Sequence, residues 1–141
     1  MSILQENFER IQRFCQQHQT SLIAVSKTKP VSDILDLYEL GQRDFGENYV
    51  QELVEKQALL PADIRWHFIG HLQSNKVKLI TPFVHLIHGV DSFKLLKEID
   101  KQAAKNNRVI ACLLQLHIAQ EETKFGLNQQ ELEELLEATE L

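Results

Sequence analysis

Short apolar segments alternate with amphipathic helical segments along nearly the whole chain, and this alternation constrains the fold most. The stretch "LIAVS" is too short and too continuously apolar for a surface helix, so it predicts a buried strand. The next segment carries apolar residues at helical spacing, with Ser32 as the predicted N-cap and Gly41 as the stop signal. An opening helix is predicted over residues 3–18. The five predicted strands comprise residues 22–26, 43–47, 65–70, 84–90 and 108–118, the last being the longest.

Two further helices have clear start signals. Ser92 precedes "FKLLKEIDKQAAK" as an N-cap, and Asn128 with Glu131 forms a predicted capping box before the last helical segment. Each predicted strand is therefore followed by a helix after a short connection. Repeated βα units predict a parallel sheet covered by helices. An open doubly wound sheet and a (β/α)8 barrel both satisfy this pattern, and the periodicity does not separate them.

The length and net charge of the chain limit the classes of protein to which it can belong. The 141 residues suit a single domain over residues 1–141, whereas a complete (β/α)8 barrel typically needs about 250 residues. A barrel would thus comprise only about five βα units here, with some three units absent. The net charge of -5 argues against a nucleic-acid partner. No apolar run approaches the ~18 residues of a membrane span, and no signal peptide is recognisable. Cys15 and Cys112 have no metal-like spacing, which favours reduced thiols in a cytoplasmic protein.

Lys27 is the strongest candidate for a chemically reactive residue. In parallel α/β folds the ligand lies at the carboxyl ends of the strands, and Lys27 directly follows the first strand. An amine there is expected to be partly desolvated, which favours its neutral, nucleophilic form. Such an amine can attack an aldehyde. The alternative is a lysine whose aliphatic part packs on the strand end while its charge stays in water.

Other polar residues at strand ends have weaker signals. Asn48 follows the second strand, but it could equally be the N-cap of the next helix. His67 and His71 are four residues apart, a spacing that suits a metal only on a helix, and the segment reads as a strand. His85 and His88 are expected to face opposite sides of a strand. No metal site is therefore predicted.

Five motifs together resemble one family. The stretches "LIAVSKTKP", "FGENYVQE", "WHFIGHLQSNK", "HGVDS" and "EETKFG" occur in the order and spacing of the YggS-type pyridoxal phosphate homeostasis proteins, which are similar to the N-terminal domain of alanine racemase. The resemblance implies a fold-type III barrel that binds pyridoxal 5'-phosphate. It makes Lys27 the residue that holds the cofactor as a Schiff base, and it places Asn48 and His67 along the cofactor pocket. Lys124 matches a lysine in a loop near the cofactor.

The resemblance also implies a role in the intracellular supply of vitamin B6, without an established catalytic activity. Members of the family continue beyond the length of this chain, into loops that hold the cofactor phosphate. Two alternatives follow: a fold-type III amino acid racemase, and a shortened scaffold without bound cofactor. The family implies a monomer. An unpaired fifth strand would allow this chain to self-associate.

Overall fold

The computed structural model describes residues 2–118 and 126–138. Within them the chain alternates between strands and helices in the predicted order. The helices are α1 (Ile3–Gln17), α2 (Val31–Glu39), α3 (Val50–Leu59), α4 (Val77–Ile80, preceded by a 3₁₀ turn at Ser74–Lys76), α5 (Phe93–Lys105) and α6 (Gln129–Glu137). The strands are β1 (Ala24–Val25), β2 (Asp44–Glu47), β3 (Arg65–Phe68), β4 (Leu86–Val90) and β5 (Ala111–Leu114). None of the described helices is long and apolar enough to cross a membrane.

The five strands form one parallel sheet in the order β1-β2-β3-β4-β5. A doubly wound sheet reverses its strand order at a switch point, and no reversal occurs in the described sheet. Because right-handed crossovers that advance in one direction place every helix on the same face, this topology is that of successive units of a (β/α)8 barrel. The predicted α/β barrel class is confirmed, and the doubly wound alternative is excluded.

The core lies between the sheet and its helices. Phe45, Trp66 and Ile87 project from three adjacent strands and are at most 2% exposed. They belong to one cluster with apolar residues of the four helices α2 to α5. The opposite face of the sheet is open, as the exposed fractions of Val25 (56%) and Leu113 (49%) show. The side chains on that face correspond to the inner wall of a barrel.

Two local predictions were wrong. Ser32 does not cap α2, because the helix begins at Val31 directly after Pro30, whose φ of -69° already suits a helix start. The last strand is not the longest: β5 has four residues, whereas β4 has five. Beyond Leu114 the Gln115 N–H still donates to the Val90 carbonyl oxygen, and an isolated bridge joins Leu116 to Leu127.

The predicted caps of the later helices are confirmed. The Ser92 side chain accepts a hydrogen bond from the backbone N–H of Leu95 at the start of α5. Asn128 and Glu131 form the complete capping box of α6, in which each side chain accepts from the other residue's backbone N–H. These caps were predictable because they depend only on residues three positions apart.

Candidate functional site

Lys27 lies in a tight turn at the carboxyl end of β1. The Lys29 N–H donates to the Ser26 carbonyl oxygen over 3.2 Å, which closes a four-residue turn. Thr28 has a φ of +61°, as the third position of a type II turn requires. The Lys27 side chain is exposed, so the expected partial desolvation is not observed. The physical reason is that β1 pairs only with β2 among the described strands, which leaves this end of the sheet open.

Asn48 lies at the corresponding position after β2. Val25 pairs with Gly46, so Lys27 and Asn48 each follow a paired strand residue by two positions. The N-cap residue of α3 is Tyr49, so the interpretation of Asn48 as a helix cap is wrong. The next strand approaches closely, since a Cβ on Gly70 would lie 2.1 Å from the Asn48 carbonyl oxygen. The close approach of Gly70 thus restricts the backbone of Asn48 on the β3 side.

His67 lies lower on the open face, at the level of Gly46. It is buried, and both of its ring nitrogens have partners. Nε2 is 2.9 Å from Asp44 Oδ1, and Nδ1 is 2.9 Å from His88 Nε2. Arg65 donates two hydrogen bonds to the Asp44 carboxylate, at 2.9 and 2.8 Å. We call this chain of four side chains, from Arg65 through Asp44 and His67 to His88, the polar relay.

The charges of the polar relay determine where its protons lie. Burial acts to raise the pKa of the Asp44 carboxyl, but hydrogen bonds from Arg65 and His67 outweigh it, so the pKa lies below its ordinary value. An ionised Asp44 can only accept, which assigns a hydrogen to His67 Nε2. Burial and the neighbouring His67 lower the pKa of His88.

The expected placement of His85 and His88 on opposite sides of a strand was wrong. Their ring centroids lie 5.3 and 5.2 Å from that of His67. His85 precedes the first residue of β4, so strict alternation along the strand does not govern its side chain. Ligand atoms of His85, His67 and Asp44 all lie within 4.8 Å of one another. We assign no metal to them, because Arg65 already binds both carboxylate oxygens of Asp44.

A second polar group lies beneath the Lys27 turn, between the sheet and α3. Its members are Ser26, Glu47, Glu52 and Lys56, and we call it the lysine clamp. The sequence predicted Glu47 at a strand end, but the roles of Glu52 and Lys56 on α3 were not predicted. The signal was present: Lys56 is three residues after Leu53 and four before Leu60, within the apolar stripe of a helix. A lysine on a buried helical face needs a partner.

An open pocket of about 370 Å³ adjoins the ends of β2 and β3. Of the predicted site residues it includes Asn48, but neither Lys27 nor His67 lines it. At its mouth His71 Nε2 lies 3.1 Å from Asp91 Oδ2. Lys124, the other lysine that the sequence singled out, is outside the described residues. The structure therefore places Lys27 and Asn48 just beyond the carboxyl ends of the neighbouring strands β1 and β2, and His67 within β3 opposite Gly46.

Comparison with known proteins agrees with this architecture. The family model described as "Alanine racemase, N-terminal domain" matches residues 1–141. The pyridoxal phosphate homeostasis protein of Aquifex aeolicus is 43% identical over 137 residues, which are 93% of this chain and 60% of that protein. The protein of the same name from Escherichia coli is 41% identical, with 84% and 52% covered. The chain thus spans about half to two thirds of the length of such relatives.

Solved structures extend the comparison to three dimensions. PipY of Synechococcus elongatus, with PLP bound, superposes with a TM-score of 0.80 at 38% identity, covering 91% of this chain and 61% of PipY. The structure of PipY without PLP gives the same TM-score and identity, with 90% and 63% covered. The sequence identity to both structures, 38%, is well above the level at which proteins share the fold alone.

Proposed function

The chain belongs to the alanine racemase N-terminal domain family, and on that premise we propose that it binds pyridoxal 5'-phosphate through Lys27 and serves in pyridoxal phosphate homeostasis. The relatives of that name from Aquifex aeolicus and Escherichia coli are 43% and 41% identical to it. PipY, which shares its fold, has been solved with PLP bound. The whole protein's role in homeostasis is carried over from these proteins as a proposal.

The position of Lys27 is the observation that carries the proposal. Its side chain is exposed at the carboxyl edge of the sheet, where ligands of parallel α/β proteins bind. The Lys27 ammonium makes no hydrogen bond or ion pair with any residue that the structure describes. Its two neighbours, by contrast, are held by side chains of α3: Ser26 by the buried Lys56 and Thr28 by the partly exposed Glu52. A lysine with a fixed backbone and an uncommitted amine fits the aldehyde end of the cofactor.

We assign the remaining roles by position. Pyridoxal phosphate supplies an aldehyde that condenses reversibly with a primary amine. Asn48, which directly follows β2, would offer its side-chain amide to the bound molecule. His67 lies within β3, opposite Gly46, and the polar relay fixes its ring orientation. His67 would support the bound molecule from the open face of the sheet and leave Lys27 as the reactive group.

A carrier role is preferred to amino acid racemisation. Racemisation of the two-base type needs a second acid or base on the side opposite the lysine. The relatives in the comparison are named for homeostasis of the cofactor rather than for racemase activity. Incubation of the cofactor-loaded protein with L-alanine separates the two: formation of D-alanine that is lost in Lys27→Ala would establish the racemase instead.

The experiment that tests binding is borohydride reduction in the presence of pyridoxal phosphate, followed by peptide mapping. We expect a stable pyridoxyl group on Lys27 at about one equivalent, and none at this position in Lys27→Ala. Lys29→Ala is the matched control, since Lys29 lies in the same turn and is also exposed. Labelling spread evenly over surface lysines would contradict the proposal.

We also propose that the protein is a cytoplasmic monomer. Cys15 and Cys112 are free thiols, as expected of a reducing compartment. Burial raises the pKa of Cys112 to about 11, so this thiol is inert at neutral pH. The open face of the sheet, with Val25 and Leu113 about half exposed, is the surface through which self-association would occur. Light scattering after size-exclusion chromatography distinguishes the monomer from an oligomer.

A further inference from the structure

Lys56 reaches from α3 into the junction of β1 and β2. Its Nζ donates to the Ser26 carbonyl oxygen over 2.7 Å, to Glu47 Oε2 over 2.9 Å and to Glu52 Oε2 over 2.7 Å. These three acceptors match the three protons of an ammonium group. The Ser26 hydroxyl also donates to Glu47, which is fully buried. The residue before Lys27 is thus held through both its carbonyl and its side chain.

The residue after Lys27 is held by the same group. The Thr28 N–H donates to Glu52 Oε2 over 2.6 Å. Burial acts to raise the pKa of Glu52, but hydrogen bonds from Lys56 and from the Thr28 backbone outweigh it, so its pKa is lowered and it stays ionised at neutral pH. The lysine clamp therefore forms hydrogen bonds with the residues on either side of Lys27 and none with the Lys27 side chain.

This arrangement is costly for a simple connection between a strand and a helix. Burying an ammonium and carboxylates requires strong mutual compensation. Thr28, a β-branched residue, adopts a left-handed conformation that glycine would adopt without strain. The strain falls on Thr28, next to Lys27, and the charged side chains hold both neighbours of Lys27. Strained turns held by surrounding structure are typical of positions where a functional group must be presented in one direction.

We infer that Glu52 and Lys56 are positioning residues for Lys27: they fix the turn at Ser26–Lys29 so that its amine points to one place at the edge of the sheet. The inference rests on the proposed function, because it assumes that Lys27 is the reactive amine. Glu52 acts through the Thr28 N–H, and Lys56 acts through the Ser26 carbonyl. Neither needs to touch the bound molecule.

The test compares labelling at two lysines of the same turn. Pyridoxal phosphate and borohydride are applied to the full chain, and the ratio of pyridoxyl groups on Lys27 and Lys29 is measured by mass spectrometry. Glu52→Ala removes the acceptor of the Thr28 N–H. We expect this variant to lower the Lys27-to-Lys29 ratio about tenfold, the effect of losing one charge-assisted hydrogen bond. We also expect faster exchange of the Thr28 amide hydrogen.

Two variants serve as controls. Glu55→Ala lies on the same helix and removes only the exposed hydrogen bond from Gln51, so it should keep the ratio of the unaltered chain. Glu52→Gln keeps an acceptor oxygen for the Thr28 N–H and should restore most of the preference for Lys27. Because Glu52 is partly exposed, neither change at this position should prevent folding.

The outcomes separate the inference from the proposed function. Preferential labelling of Lys27 that Glu52→Ala abolishes and Glu52→Gln restores supports both. Preferential labelling that survives in Glu52→Ala, with faster Thr28 exchange, overturns the positioning role and leaves the binding role of Lys27 intact. Absence of any preference for Lys27 in the unaltered chain overturns both.

Discussion

Glu47 and Lys56 form a buried ion pair that ties β2 to α3. Lys56 Nζ lies 2.9 Å from Glu47 Oε2, and the two side chains are 7% and 0% exposed, respectively. Because Lys56 also donates to the Ser26 carbonyl, the same pair connects the end of β1 to this unit. The geometry of the turn that carries Lys27 therefore depends on a contact between charges rather than on apolar packing alone.

Replacing Lys56 by methionine should destabilise the fold severely. The change leaves the Glu47 carboxylate buried with the Ser26 hydroxyl as its remaining partner, and breaking such a pair costs about 3–5 kcal/mol. Urea denaturation followed by circular dichroism measures the loss. The double variant Glu47→Gln with Lys56→Met removes both charges and should recover most of the stability. Equal losses in the single and double variants would show that the ion pair itself is not the cause.

The pairing of Glu47 with Lys56 marks the boundary of what the sequence could predict. The helix that carries Lys56 and the strand that carries Glu47 were both predicted, because apolar periodicity is a local signal. The partnership was not predicted, because it depends on how far α3 rotates about its axis when it packs on the sheet. The strand order likewise needed the structure: periodicity is the same in a barrel and in a doubly wound sheet.

Substituting alanine for Gly70 should push apart the carboxyl ends of β2 and β3. A Cβ there would lie 2.1 Å from the backbone oxygen of Asn48, which cannot move without distorting β2. We expect a loss of about 1–3 kcal/mol in the free energy of unfolding and weaker pyridoxal phosphate binding. Gly46→Ala is the matched control, since its Cβ would lie 3.1 Å from the mobile end of Ile69. A smaller loss at Gly70 than at Gly46 would contradict the prediction.

Stability should fall as the solution is acidified below about pH 6.5, because of the polar relay. Burial and the charge of His67 lower the pKa of His88 in the folded state, so the unfolded chain takes up this proton first. The contribution of neutral His88 is therefore complete above its ordinary pKa and is lost as the pH falls toward the folded value. Asp44, whose pKa is also lowered, adds a second loss at more acidic pH.

Urea midpoints measured between about pH 7 and pH 5 test this pH dependence. His88→Gln, which cannot be protonated, should have a shallower decline over this range and a lower midpoint at pH 7. His18→Gln changes an exposed histidine at the end of α1 and should keep the steeper decline. Parallel curves for His88→Gln and the unaltered chain would exclude His88 as the titrating group.

The polar relay illustrates a second limit of prediction from sequence. His67 was singled out by its motif, whereas its partners Asp44, Arg65 and His88 lie on three strands and come together only through register. Register is set by the packing of whole strands, and a shift of one residue would turn each of these side chains to the other face. Lys27 was singled out by its place directly after a predicted strand and by its motif, and neither signal depends on register.

Replacing Thr28 by glycine should separate the strain of the turn from its function. The φ of +61° costs a β-branched residue about 1–2 kcal/mol, and glycine removes that cost. The exposed hydrogen bond from the Thr28 hydroxyl to the Lys27 carbonyl is lost, which offsets a small part of the gain. We expect a net increase of up to about 1 kcal/mol in the free energy of unfolding. Asn107→Gly, at a φ of +53°, should gain less because asparagine tolerates this conformation better. The Thr28 N–H and its hydrogen bond to Glu52 remain in this variant, so labelling of Lys27 should stay within about twofold of the unaltered chain. A more stable variant without a preference for Lys27 would show that the threonine side chain, and not the hydrogen bond from the backbone to Glu52, orients the Lys27 amine.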